Sequence, residues 1–274
     1  MKFNVILLLA ALALLGGCAS APKNDVVGIA AQQDLLSLRS DRTQRVDQYL
    51  DGPRVARARS VLLPEVMVAP GALDVGVTET QGALVANRAA RELCSNLSKY
   101  FSVRKRTADL HLQIVVTQIR ATSAGASGAS ALIGIAVPGP FRLPAGLGGL
   151  AAEASASSAD GTQRLLTRWS KGANPVLDDA RISSIGDAYQ LADTFADAFA
   201  RTLIKPTEAL KKKPRVRLAP ALITRNQKLC DARFGRASLA GRGASFILPL
   251  APEAIDAGAP EAPAAVEPRD DGKK

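Results

Sequence analysis

A lone lysine, an unbroken apolar run from Val5 to Leu15 and the tetrapeptide Leu15-Gly16-Gly17-Cys18 open this chain, and they decide which of its residues can belong to a fold. Lys2 supplies the positive start, the run supplies the apolar middle, and the glycines supply the small residues that a signal peptidase needs. The run is shorter than the about twenty apolar residues that a membrane helix requires, and the polar stretch 19–25 follows at once. Residues 1–17 therefore read as an export signal, and the fold is expected after them, outside the cytoplasm. A secretory signal with a chance cysteine at its junction is the other reading.

The tetrapeptide 15–18 resembles the lipobox of bacterial lipoproteins. That resemblance implies cleavage before Cys18, thioether lipidation of Cys18 and acylation of the new amino terminus, palmitate being the acyl group expected. It makes the membrane the first partner, through the lipid on Cys18. Ala19 stands where an aspartate would argue for retention in the inner membrane, and so resembles the pattern released to the outer membrane. The expected location is the outer membrane, on its periplasmic side.

Loss of 1–17 removes one lysine and no acidic residue, so the formal charge falls only from +10 to +9. An exported chain meets anionic lipid head groups, lipopolysaccharide phosphates and cell-wall carboxylates rather than nucleic acid. The plainer reading is that the charge serves solubility. Of the three cysteines, lipid consumes Cys18, which leaves Cys94 and Cys230 as a pair in an oxidising compartment. A disulfide between them is expected; two buried thiols are the alternative.

Past the signal, 18–59 reads as a tether and spacer, with one loose helix in the mixed stretch 30–51. Between 60 and 70, Val61, Leu62, Leu63, Val66, Met67 and Val68 predict a strand with Pro64 at an edge or bulge. Thr78-Glu79-Thr80-Gln81 has capping-box spacing, and Ala86, Ala90, Leu93, Leu97 and Tyr100 recur every three or four residues behind it, so a long helix follows. A short strand is expected at 101–104 and a longer one at 109–122, where Leu110, Leu112, Ile114 and Val116 alternate with His111, Gln113, Val115 and Thr117. Residues 121–140 carry no charge. They read either as a loop or as an apolar flap that touches the membrane or a partner protein.

Asp160-Gly161 predicts a tight turn between two strands, with Leu165, Thr167 and Trp169 on one face of the second. Ser184 to Asp187 suggests a helix cap, Ala188, Leu191, Ala192, Phe195, Phe199 and Leu203 an apolar stripe, and Lys205-Pro206 a stop. The periplasmic domain is thus placed at 60–206, and 207–274 reads as a basic, then Ala/Pro-rich extension. Lys211, Lys212, Lys213, Arg215 and Arg217 are either a solvated linker or a contact for an anionic surface, at about 1 kcal/mol for each basic residue near the surface. Leu218 to Leu248 holds enough apolar groups, Phe234 and Phe246 among them, to lie against the domain. The composition after 249 is that of a disordered tail.

The fold class that results is α/β in the α+β sense, a small mixed or antiparallel sheet packed against two helices. Ala108-Asp109-Leu110 before the alternating strand, Glu153 and Asp160-Gly161 in the hairpin, and the helix near Ser184 resemble the domain-of-unknown-function 3313 family of outer-membrane lipoproteins, over about 61–203. Where that family tends to show Asp-Ser-x-Thr-Gly, this chain has Ser158-Ala159-Asp160-Gly161-Thr162. The resemblance implies a compact domain facing the periplasm and carries no catalytic residues with it.

Enzyme chemistry finds few residues to use. His111 is the sole histidine and has no second histidine for a metal pair. Ser102-Val103-Arg104-Lys105 matches a Ser-x-x-Lys pattern, on a strand rather than at a helix start. Gly146 to Ala151 mimics part of a dinucleotide fingerprint without the strand that should precede it. The expected function is therefore a non-enzymatic, lipid-anchored envelope module, without cofactor or metal, that binds an envelope protein or supports envelope assembly. The alternative is an envelope hydrolase acting on ester or cell-wall substrates.

Overall fold

The alternating stretch after Asp109 is strand β6 (His111–Arg120), and both of its neighbours owe their placement to it. The computed structural model describes residues 20–23, 28–29, 35–123, 146–174, 183–206, 215–236 and 251–258. Five strands precede β6: β1 (Leu36–Ser40), β2 (Gln44–Leu50), β3 (Ser60–Leu62), β4 (Glu65–Val68) and β5 (Ser102–Arg104). Two follow, β7 (Gly149–Ser157) and β8 (Gln163–Gly172). The helices are α1 (Gly52–Arg57), α2 (Glu79–Leu97), α3 (Gly186–Ile204), α4 (Pro220–Phe234) and α5 (Pro252–Ile255). Six strands form one sheet in the order β1-β2-β8-β7-β6-β4, and β3 pairs with β5 apart from it. The large sheet is antiparallel except where β4 runs parallel to β6, so it is a mixed sheet in an α+β fold.

Side-chain alternation sorts this sheet into two faces. Leu112, Ile114 and Val116 of β6, Ala152, Ala154 and Ala156 of β7, and Leu165 and Trp169 of β8 point to the main core. The alanines of β7 leave room for α3 to lie close, and Trp169 fills the adjoining space with its ring centroid 5.6 Å from that of Phe195. α2 and α3 cover this face with the stripes legible in the sequence; Leu93, Leu97, Phe195 and Phe199 are all buried. Thr78 caps α2 as its spacing predicts, with Gln81 N–H donating to the Thr78 hydroxyl and Thr78 N–H donating to the Gln81 amide oxygen.

Three local expectations are corrected. Residues 36–50 form the hairpin β1–β2, not a spacer with a helix. Asp41 builds its turn by accepting from the backbone N–H groups of Thr43 and Gln44, and β2 then pairs with β8 along its whole length. The strand expected at 60–70 is two strands in two sheets, because the chain turns at Leu63-Pro64, where proline lacks a donor for a ladder. The start of α3 has no side-chain cap of its own. The Ser184 hydroxyl donates to Gln81 instead, and the Asp187 N–H donates to the Thr122 hydroxyl just past the end of β6.

Candidate functional site

The second face of the sheet carries a much smaller apolar cluster, Ile29, Ala69, Ala72, Val115 and Leu166, with one carboxylate buried among it. Glu153 of β7, 1% exposed, ion-pairs with Arg168 Nε of β8 at 2.9 Å. Its other oxygen accepts from the backbone N–H groups of Gly28 at 3.1 Å and Ile29 at 2.6 Å. A buried carboxylate needs hydrogen-bond partners, and here two of them come from the segment that leads in from the amino terminus. Gly28 lies so flat on the sheet that a Cβ would meet Val115 Cγ1 at 2.6 Å. Further back along the tether, Ala21 N–H donates to the Arg42 carbonyl at 2.7 Å, and Arg120 donates to the Ser20 carbonyl at 2.7 Å. The described residues of the tether are thus part of the fold.

A second polar cluster closes the helix face. Asp256, just after α5, inserts between α2 and α3, where its carboxylate has no exposure. The Arg91 guanidinium of α2 donates to both of its oxygens, and the Tyr189 hydroxyl of α3 donates to one of them. Burial pushes the Asp256 carboxyl up, but the bonds from Arg91 and Tyr189 outweigh it and hold the group below the usual carboxylate range. Burial likewise pushes the Tyr189 hydroxyl up to about 12. Around this latch, Glu253 of α5 accepts from Gln81 and Ser183, and Arg88 of α2 grips Asp193 of α3. The buried charges of the latch are matched, so it binds two distant parts of the chain together.

The cysteine pair is joined. Cys94 of α2 and Cys230 of α4 form a disulfide with Cα atoms 5.8 Å apart, and Phe234 at the end of α4 is buried against the same helix. Asn226 of α4 bonds the Ser98 and Phe101 carbonyls and the Val103 N–H as well. Cys18, Lys211, Lys212 and Lys213 lie outside the described residues, as does the uncharged stretch beyond Ser123. Of the two basic residues of that run that are described, Arg217 is exposed and Arg215 is not free for an anionic surface. The Arg215 guanidinium donates to the Leu203, Ala58 and Val55 carbonyls and stacks over the Phe101 ring at 4.2 Å. Carbonyls at the ends of α1 and α3 draw the cation inward, and burial lowers its pKa.

Residues read as carriers of a family likeness turn out to brace the fold. Asp109 accepts from the Arg59 and Ser60 N–H groups, chiefly the former holding its carboxyl below the ordinary range. Asp160 shapes the hairpin turn through Ser158 and Thr162. Ser102 lies in β5, opposite Ser60 of β3, and His111 begins β6. Among the described residues no group of three or more His, Cys, Asp or Glu side chains could hold a metal ion, and no helix is long and apolar enough to cross a membrane. Sequence reasoning missed Arg91 and Asp256. The only hint was an acid in an Ala/Pro-rich tail, directly after Ile255.

Together these features define an α+β domain whose mixed sheet is covered on one face by a helix pair and holds Gly28 and Ile29 on the other through Glu153. The chain belongs to the family described as Protein of unknown function (DUF3313), whose model matches residues 28–199. No curated protein matches the chain. Among solved structures it is similar to a PelC dodecamer from Paraburkholderia phytofirmans that carries one leucine-to-methionine substitution, in space group C2, at 14% identity and a TM-score of 0.36 over 58% of this chain and 95% of that one. The PelC dodecamer from the same organism in space group P6 is similar at 13% identity and a TM-score of 0.36, over 58% of this chain and 96% of that one. Likenesses so distant carry no weight for the assembly or the function of this chain.

Proposed function

We propose that this protein is a lipid-anchored envelope lipoprotein of the outer membrane, facing the periplasm, and that it works as a binding or assembly module rather than as an enzyme. The observation that supports this reading most is the docking of Gly28 and Ile29 on the sheet through Glu153, with Ser20 and Ala21 bonded to Arg120 and Arg42. A long free tether lets a domain roam; one that joins the fold two residues after Cys18 keeps the domain against the membrane that holds the lipid. The lipobox at 15–18 supplies the anchor, and a charge-matched latch with a disulfide gives a rigid body suited to presenting a surface.

Cell fractionation of Cys18→Ser tests the anchor. Loss of membrane retention, or accumulation of an uncleaved and mislocalised chain, is expected because each buried methylene of the acyl chains contributes about 0.8 kcal/mol. Unchanged retention contradicts it. The hydrolase reading is tested separately: turnover of ester or cell-wall substrates by the purified chain, abolished by Ser102→Ala, would replace the binding module with an enzyme.

A further inference from the structure

Four cations from four different parts of the fold meet where the tether enters the domain. Lys23 comes from the tether, Arg42 from the turn between β1 and β2, Arg45 from the start of β2, and Arg120 from the end of β6; with Gln118 they line a pocket of about 370 Å³. No acidic residue is among its lining. Among the described residues, Lys23, Arg42 and Arg45 make no side-chain hydrogen bond or ion pair. Two bonds fix the frame of the pocket, Ala21 N–H to the Arg42 carbonyl and Arg120 to the Ser20 carbonyl, while Lys23, Arg42 and Arg45 are exposed on its rim. A pocket lined by four cations and no acid suits an anion, and guanidinium forks match the oxygens of a phosphate.

Position selects the source of that phosphate. Two residues span at most about 7 Å of chain, so Cys18 lies within that reach of Ser20, which lines the pocket. The stems of the stretch 124–145, whose sequence is uncharged as far as Pro140, leave from the same end of the sheet, where Ser123 N–H donates to the Gly146 carbonyl at 2.8 Å. We infer that the pocket formed by Lys23, Arg42, Arg45 and Arg120 binds the head-group phosphate of an anionic glycerophospholipid in the membrane that holds the anchor. The inference rests on the anchoring proposed above. It sets this end of the sheet against the bilayer and leaves the Cys94–Cys230 face turned to the periplasm.

The test titrates the full-length chain, purified in neutral detergent micelles, with two probes: a short-chain, soluble phosphatidylglycerol and inorganic phosphate. Isothermal titration reads affinity whether or not Cys18 carries lipid, and the mass of the chain reports that modification independently, so failure of the pocket and failure of the anchor are distinguishable. The wild-type chain should bind the lipid probe more tightly than phosphate. Arg42→Glu with Arg45→Glu should weaken binding by at least about thirtyfold, whereas Arg225→Glu with Lys228→Glu on α4 should leave it unchanged. Equal melting of both double variants and the wild-type chain controls for folding, and single Arg42→Gln and Arg45→Gln variants serve if the double variant melts early. Binding of phosphate without preference for the lipid probe overturns the head-group assignment. No binding of either probe, or equal binding by wild type and the Arg42/Arg45 variants, overturns the site.

Discussion

Arg91 and Asp256, 165 residues apart in the chain, meet in a bidentate ion pair inside the protein, with the Tyr189 hydroxyl as a third partner. The carboxylate is fully buried and the guanidinium nearly so. Asp256→Asn should therefore leave Arg91 without a counter-charge and release the segment 251–258. Because that segment can swing out and admit water, the cost should be about 1–3 kcal/mol. Hydrogen exchange should rise first at 251–258 and in the facing turns of α2 and α3; unchanged protection there contradicts the latch.

The latch also sets a pH dependence with a defined sign. The folded Asp256 carboxyl titrates below its ordinary value, so its stabilisation is present above about pH 4, the unfolded value, and is lost as pH falls through the folded one. The gap in melting temperature between wild type and Asp256→Asn should narrow as pH is taken from 6 to about 3. A gap that stays constant over that window would mean that the carboxylate charge does not matter.

Reduction of Cys94–Cys230, or Cys230→Ser, should lower stability by up to about 5 kcal/mol in the chain-entropy model, less if the unfolded chain retains structure. The expected readout is a melting temperature that reductant lowers in the wild type and leaves unchanged in the variant. Reaction of both thiols with a maleimide after denaturation without reductant would refute the bridge.

Arg215 and Arg217 are separated by one residue but should behave differently. Arg215→Ala removes a charged donor from three carbonyls and should destabilise by about 1–3 kcal/mol; Arg217→Ala should be neutral within about 0.5 kcal/mol. Equal melting of the two variants contradicts the inward role assigned to Arg215.

Gly28→Val should lift the tether from the sheet, because even a Cβ there collides with Val115. Limited proteolysis should then cut next to residues 28–29 faster in the variant than in the wild type, while α2 to β8 stay intact. Equal resistance of the two would show that the tether is not held.

Much of this fold was legible because its signals are local. The Thr78–Gln81 box, the alternation through Leu112, Ile114 and Val116, and the Asp160-Gly161 turn each rest on neighbours a few residues apart. The β1–β2 hairpin was not legible, since Leu36 and Leu38 are exposed, Val46 and Leu50 only half-buried, and an edge hairpin with so little apolar pattern looks like a spacer. Glu153 showed itself only through the family resemblance, because its two backbone partners lie 124 and 125 residues away and its Arg168 partner is set by strand register. The Arg42, Arg45 and Arg120 cluster has no linear signature either; strand register alone brings it together.

Lipid on Cys18 is what should hold the domain at the membrane, and the mass of the amino-terminal peptide of the protein extracted from its own membranes tests this most directly. The predicted result is a chain that begins at Cys18, with a thioether-linked diacylglycerol on sulfur and an acyl group on the new amine. A chain cleaved elsewhere, or one whose Cys18 is unmodified, contradicts it.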